Sequence, residues 1–251
     1  MIAGLRLAVT LLTVVPLRAD RVDRATARTA MLAAPLVGLI PGTAAAAALL
    51  LADLAGLSRL LGAFLAISAM AAVTRALHLD GLADLADGLG SAKPAEEALA
   101  IMKKSDIGPF GVVTLILTLG IQATALATAP TRETAATAAL VAAMAGRLAL
   151  PWACRTGVPS ARPSGLGALV AETVRPRAAY AVTAAGLTAA ALIGLATGHP
   201  IKTALAVAAA TVATLAVLTH TRKRLGGITG DVLGALVEIA TTTALVVQAA
   251  H

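Results

Sequence analysis

The chain has 251 residues, of which 58% are hydrophobic and only 13% are charged, and its mean hydropathy is +0.87. This composition excludes a soluble globular domain and is typical of an integral membrane protein. The net charge of +7 does not indicate a nucleic-acid partner, because aromatic residues make up only 2% and offer almost no surface for base stacking. The length accommodates seven or eight membrane spans without a further soluble domain, so we predict one domain, residues 1–251.

Long apolar segments predict an all-α, polytopic membrane protein. The first segment, residues 2–17, is short and contains Arg6, so it is either a tight span or a half-buried N-terminal helix. Clear spans follow at residues 30–52, 60–77, 110–129, 134–154, 178–197, 203–219 and 232–250. Pro35, Pro41 and Gly42 should kink the first of these. The prediction is therefore a bundle of seven to eight helices.

The polar loops between these spans differ in charge. Threading the spans places the loops at residues 18–28, 75–106, 155–177 and 221–230 on one side of the bilayer, with 15 of the 20 lysines and arginines. The opposite side holds only Arg59, Arg132 and Lys202. By the positive-inside rule the basic side is cytoplasmic. We therefore expect a multi-pass protein of the cell inner (cytoplasmic) membrane, embedded in the lipid bilayer, whose polar motifs face the cytoplasm.

An acidic segment, HLDGLADLADGLGS at residues 78–91, follows the second clear span. Asp80, Asp84 and Asp87 stand at i, i+4 and i+7, so in a helix all three project from one face. Their mutual repulsion favours a bound cation, and hard oxygen ligands without a His/Cys cluster favour Mg²⁺ or Mn²⁺ over zinc. The alternative is an amphipathic surface helix whose aspartates face water. Gly81 and Gly88 lie on the neighbouring face and leave clearance for a second helix or a substrate backbone.

A second polar segment, RKRLGGITGD at residues 222–231, lies on the same predicted side and combines three cations with three glycines. We predict Asp231 as a further metal ligand, with an ordinary N-cap aspartate as the alternative. The predicted metal ligands are thus Asp80, Asp84, Asp87 and Asp231. The predicted substrate- and phosphate-binding residues are Arg75, Gly81, Gly88, Arg222, Arg224, Gly227 and Gly230.

Carboxylates, cations and glycine-rich turns on one membrane face suit phosphoryl transfer, because they hold metal and neutralise phosphate oxygens. The predicted catalytic residues are His78, Lys103, Lys104 and Asp106. His78 could act as a base for an attacking hydroxyl, and the alternative is a helix-capping or supporting role. No Walker lysine motif, G-x-S-x-G or H-E-x-x-H is present, so we expect the attacking hydroxyl to come from a second substrate.

Five segments resemble one known family in their order along the chain. They are LAVTLLTVVPL, APLVGLIPG, RALHLDGLADLADGLGS, IMKKSDIGPFG and RLGGITGDVLGALVE. These segments resemble the cobalamin synthases, also called adenosylcobinamide-GDP ribazoletransferases, over nearly the whole chain. The resemblance implies a membrane-embedded, Mg²⁺-dependent transferase of cobalamin biosynthesis. The expected partners of this transferase are adenosylcobinamide-GDP and α-ribazole or α-ribazole 5'-phosphate. The resemblance is also compatible with a homo-oligomer.

The resemblance implies that a ribose hydroxyl of ribazole attacks the cobinamide-linked phosphate and that GMP leaves. Two other functions remain as alternatives, a cation-coupled transporter and a CDP-alcohol-type phosphotransferase. The acidic segment lies near a membrane face and not at mid-bilayer, which disfavours the transporter. The CDP-alcohol signature continues D-G-x-x-A-R, whereas here Asp80 and Gly81 are followed by Leu-Ala-Asp84.

Overall fold

The computed structural model describes residues 2–19 and 21–250, and these residues form helices without a β-strand. The helices are α1 (Ile2–Leu12), α2 (Arg24–Val37), α3 (Leu39–Leu54), α4 (Arg59–Val73), α5 (Leu77–Gly90), α6 (Ala95–Ile101), α7 (Pro109–Ala127), α8 (Arg132–Ala153), α9 (Leu166–Val170), α10 (Pro176–Leu195), α11 (Pro200–Leu225) and α12 (Gly230–Ala249). The all-α prediction is confirmed.

Six helical stretches in the described part of the chain are long and apolar enough to cross a membrane, and the bent pair α4 and α5 adds a seventh if it is one span. Helices α2 and α3 together form the first stretch. The 11 residues of α1 span about 17 Å at the rise of an α-helix, which is too short for a hydrocarbon core of about 30 Å. Of the two alternatives for this segment, the short N-terminal helix is the one observed.

The connections gather at two opposite ends of the bundle, in the groups that the sequence predicts. At one end Arg132 forms an ion pair with Asp53 across 2.8 Å. At the other end Arg162 donates a hydrogen bond to the carbonyl oxygen of Leu99 at 2.7 Å. These contacts join connections that lie far apart in sequence. The strongly basic loops therefore share one end of the molecule.

A sharp junction separates α4 from α5, whose axes differ by 92°. The amide of Arg75 donates to the carbonyl of Ala72, and the amide of Ala76 donates to that of Ala71, which together form a Schellman ending for α4. Arg75 and Ala76 have φ values of +52° and +54°, a left-handed conformation that L residues seldom adopt. The junction turns α5 across the start of α12.

Helices α8 and α12 form the centre of the bundle and are the most buried of the candidate spans. Gly146 on α8 lies against Val237 and Thr241 of α12, and there is no room for a Cβ atom at that position. Small residues let helix backbones approach closely in a membrane, where packing replaces the hydrophobic effect as the driving force. The central pair positions the N-terminus of α12 beside α5.

Candidate active site

A cavity of about 320 Å³ lies at the end of the bundle that carries the strongly basic loops. Its polar wall includes Asp80, Arg162, Ser164, Thr229 and Asp231. Its apolar wall is formed by Leu11, Leu12, Met31, Leu77, Leu150, Leu166 and Leu233. The cavity thus combines charged groups on one side with an aliphatic wall on the other, an arrangement typical of small-molecule sites.

Helices α5 and α12 meet at glycines. A Cβ atom on Gly81 would lie 2.6 Å from the carbonyl oxygen of Asp231, and one on Gly234 would lie 3.2 Å from that of Leu77. Neither position has room for a side chain unless the backbone moves. The clearance predicted at Gly81 therefore admits the first turn of α12, which brings Asp231 close to the acidic face of α5. At Gly88 the neighbour is Met102, which follows α6.

The carboxylates of the two helices share one electrostatic environment. Asp84 is half-buried on α5, and it lies within electrostatic range of the carboxylates of Asp231, Asp80 and Asp87 and of the guanidinium of Arg162. Within residues 2–19 and 21–250, no three His, Cys, Asp or Glu side chains are close enough together to hold a metal ion by themselves. A metal at this place would therefore need oxygen ligands from a substrate or from water.

Asp87 is directed away from the other carboxylates. It is buried, and its oxygens accept hydrogen bonds from the backbone amides of Gly108 at 2.7 Å and Gly111 at 2.9 Å. Gly108 is the N-cap position of α7, so a side chain of α5 satisfies the free amides at the start of α7. Both oxygens are thus engaged, and a metal at Asp87 would have to compete with two charge-assisted hydrogen bonds.

Asp231 lies in the first turn of α12 and does not cap it. The N-cap is Thr229, whose side chain accepts a hydrogen bond from the amide of Val232 at 3.2 Å. Oδ2 of Asp231 accepts hydrogen bonds from the Thr229 hydroxyl at 3.1 Å and from the Arg162 guanidinium at 3.3 Å. The capping alternative for Asp231 is therefore wrong. The carboxylate is left to face the cavity with Arg162 as its partner.

Arg162 is a site residue that the sequence prediction missed. It joins the carbonyl oxygen of Leu99 in α6 to the carboxylate of Asp231, and its loop contributes Ser164 and Gly165 to the cavity wall. The segment RPSGLG at residues 162–167 does carry a signal, a cation beside two glycines. Four arginines lie in residues 155–177, and the sequence does not tell which of them reaches the site.

His78 is buried at the start of α5, with 3% of its surface exposed. Its Nδ1 atom lies 3.3 Å from a guanidinium nitrogen of Arg147 on α8, and Arg147 also donates to the carbonyl oxygen of Ala143. A guanidinium only donates, so Nδ1 accepts and the neutral ring carries its proton on Nε2. This arrangement favours a supporting role for His78, because a protonated Nε2 cannot accept a proton from a hydroxyl.

Arg147 belongs to a second polar cluster, inside the bundle. Glu238 on α12 accepts a hydrogen bond from Gln122 on α7 at 2.7 Å, and its charge attracts Arg147. A small cavity of about 20 Å³, large enough for one water molecule, is lined by these three residues and His78. In the described part of the chain, His78 is the only residue that lines both this cavity and the larger one.

The remaining predicted residues, apart from Gly230, do not line the larger cavity. They are the exposed Arg75, Lys103, Lys104 and Asp106, the half-exposed Arg222 and Arg224, and Gly227. Arg224 donates to the carbonyl oxygen of Lys93 at 3.3 Å. Gly227 packs against the backbone of Pro159 and Ser160. Gly230 does line the cavity, next to Asp231. Roles in substrate binding or catalysis stay predictions for all of them.

The comparisons with known proteins agree on one family. The family model for cobalamin-5-phosphate synthase matches residues 4–249. A relative from Frankia casuarinae, named adenosylcobinamide-GDP ribazoletransferase, is 43% identical over 97% of this chain and 93% of its own length. Relatives of the same name from Nocardioides sp. and Bradyrhizobium diazoefficiens are 41% and 37% identical, over 98% and 99% of this chain and 98% and 94% of their own lengths.

No solved structure matches the chain. The family match and the similarity to these relatives nevertheless extend over nearly all of its residues. The chain belongs to the cobalamin-5-phosphate synthase family.

Proposed function

We propose that this membrane protein is an adenosylcobinamide-GDP ribazoletransferase, which joins adenosylcobinamide-GDP to α-ribazole or its 5'-phosphate and releases GMP. The observation that carries the proposal is the convergence of α5, α12 and the Arg162 loop on one cavity, in a chain of this family. An arginine and a helix N-terminus there suit a phosphate group, the aspartates suit a metal ion, and the aliphatic wall suits an organic substrate.

In this reaction a ribose hydroxyl oxygen of ribazole forms a bond to the cobinamide-linked phosphorus. The bond from that phosphorus to the oxygen of GMP breaks, and GMP leaves with the bonding electrons. The hydroxyl proton passes to Asp80, the α5 carboxylate that lines the cavity, and then to water. Arg162 and the free amides at the start of α12 hold the phosphate oxygens.

We also propose that the site takes Mg²⁺, with two carboxylates, those of Asp84 and Asp231, as its protein ligands. Hard carboxylate oxygens fit this ion, and Mg²⁺ is usually held by one or two carboxylates together with substrate phosphates and water. This preference accounts for carboxylates that are near one another without forming a complete protein cage. When bound, the ion would neutralise charge on the diphosphate.

The proposed location is the cell inner membrane, with the cavity open to the cytoplasm. The support is the charge distribution, since the end of the bundle that carries the cavity also carries the arginine- and lysine-rich loops.

The test uses the purified full-length protein in nanodiscs with adenosylcobinamide-GDP, α-ribazole and Mg²⁺. We expect GMP and adenosylcobalamin to form in equal amounts, measured by liquid chromatography and mass spectrometry. Omission of α-ribazole should abolish GMP release, which separates transfer from hydrolysis. A protein that inserts and folds but releases no GMP from this pair would contradict the proposal and return the transporter and CDP-alcohol alternatives to consideration.

A further inference from the structure

The cavity has the size of a nucleoside and not of a corrinoid nucleotide. Its volume of about 320 Å³ is at the lower end of the range of about 300 to 1,000 Å³ for small-molecule sites. A corrin ring with its nucleotide cannot be enclosed in such a space. The smaller of the two proposed substrates, the nucleoside that supplies the attacking hydroxyl, can be enclosed.

The inner wall of the cavity is aliphatic, with leucines from α1, α5, α8 and α12 and Met31 from α2. Such a wall favours a flat apolar ring system, because polar edges placed against it would lose their hydrogen bonds to water. A guanine base carries several donors and acceptors, and most of them would remain unpaired there. The wall therefore favours an aromatic base with few polar atoms.

One polar atom near this wall lacks a partner. In the described part of the chain, Nε2 of His78 is the only buried side-chain nitrogen or oxygen without a hydrogen bond. His78 lines both cavities, whereas Arg147, which contacts Nδ1, lines only the small one, so a ligand in the larger cavity lies next to the histidine without contacting Arg147. Buried donors are nearly always paired in native proteins, so an orphan beside a cavity points to a ligand acceptor.

We infer that the cavity binds the acceptor nucleoside base, with the Nε2–H of His78 donating to a single acceptor nitrogen of an otherwise apolar aromatic base. The benzimidazole of ribazole has this chemistry, because one of its ring nitrogens bears the sugar and the other is a free acceptor. The ribose then lies toward Asp80 and Asp231 at the polar wall. The inference rests on the proposed function, whose site it shares, and assigns His78 to substrate specificity.

The first experiment needs no substitution. Binding of α-ribazole to the intact protein in nanodiscs is compared with binding of the analogue in which the free ring nitrogen is replaced by C–H. The analogue keeps the shape and the sugar but leaves Nε2–H unpaired, so its dissociation constant should be at least about 10-fold higher. Equal affinities for the two ligands would overturn the inference, as would a failure of α-ribazole to bind at all.

Variants then assign the preference to one side chain. His78→Leu should bind α-ribazole and the analogue with similar affinity, whereas His78→Gln, whose amide nitrogen lies near the Nε2 position, should restore part of the preference. His220→Leu alters an exposed histidine on α11 and should behave as the unmodified protein. If His78→Leu still prefers α-ribazole over the analogue, a group other than His78 recognises the ring nitrogen, and the inference is wrong.

These measurements use the nucleoside alone, so they do not depend on turnover. Discrimination between the two ligands without GMP release from the complete substrate pair would support the inference and contradict the proposed function. GMP release without discrimination between the two ligands would support the proposed function and contradict the inference about His78. The two proposals can therefore fail separately.

Discussion

A guanidinium nitrogen of Arg147 lies 3.3 Å from Nδ1 of His78, and this contact joins the middle of α8 to the start of α5. Arg147 is itself held by the carbonyl oxygen of Ala143 and attracted by Glu238. Charged groups inside a membrane protein are costly and usually have a function. Here the contact holds a ring whose second nitrogen has no hydrogen-bond partner among the described residues.

Arg147→Met should release the ring of His78 and let its proton move between the two nitrogens. Nitrogen NMR of protein with labelled histidine, assigned by comparison with His78→Gln, would then show loss of a single tautomer. The KM for α-ribazole should rise by about 10-fold, the cost of one buried hydrogen bond, with a smaller change for adenosylcobinamide-GDP. Arg147→Lys keeps a donor-only cation and is the matched control. An unchanged tautomer in Arg147→Met would show that Arg147 does not position His78.

Asp84 and Asp87 lie three residues apart, and we expect their substitutions to have different effects. Asp84→Asn should lower turnover by at least about 100-fold at saturating Mg²⁺, a few kcal/mol of transition-state stabilisation, and should leave folding intact. Asp87→Asn gives up one of two hydrogen bonds to the start of α7, so it should cost about 1 to 3 kcal/mol of stability. Turnover and thermal unfolding of both variants in the same detergent provide the comparison. Normal turnover in Asp84→Asn would contradict the proposed metal site.

Asp231 and Thr229 offer a similar pair at the start of α12. Asp231→Asn keeps the N-cap intact, so the protein should fold normally but need a much higher Mg²⁺ concentration for half-maximal activity. Thr229→Ala removes the cap and should cost about 1 kcal/mol of stability, with a smaller effect on the Mg²⁺ requirement. A titration of activity against Mg²⁺, together with melting curves, distinguishes the two residues. An unchanged Mg²⁺ requirement in Asp231→Asn would remove Asp231 from the proposed ligands.

Membrane orientation can be measured with single cysteines in a Cys154→Ala background. Cysteines at Lys93 and Lys223 should react with an impermeant thiol reagent only from the cytoplasmic side, and one at Lys202 only from the opposite side. Both Lys93 and Lys223 are exposed, whereas Gly227 packs against neighbouring backbone and would not accept a cysteine. Labelling of Lys93 and Lys202 from the same side would contradict the proposed topology.

Several features could be predicted from the sequence because they depend on local pattern. A run of about 20 apolar residues in a bilayer must form a helix, because a helix satisfies every backbone hydrogen bond within the segment. The grouping of the loops into two ends follows from counting spans. The spacing of Asp80, Asp84 and Asp87 predicts a shared helical face, and α5 does contain all three. The five quoted segments also sufficed to identify the family.

What the sequence by itself determined is therefore the helical membrane class, the loop grouping, the acidic helix and the family. Only the tertiary structure decided which polar groups meet, because the direction of a side chain depends on the crossing of helices that are distant in sequence. Asp87 accepts hydrogen bonds from the start of α7 because α5 packs against that helix. Arg162 reaches Asp231 because its loop lies next to the start of α12. Arg147 reaches His78 because α8 and α5 both pack against α12. The local pattern is the same for an aspartate that caps a helix and for one that faces a cavity, so these contacts are resolved only by packing.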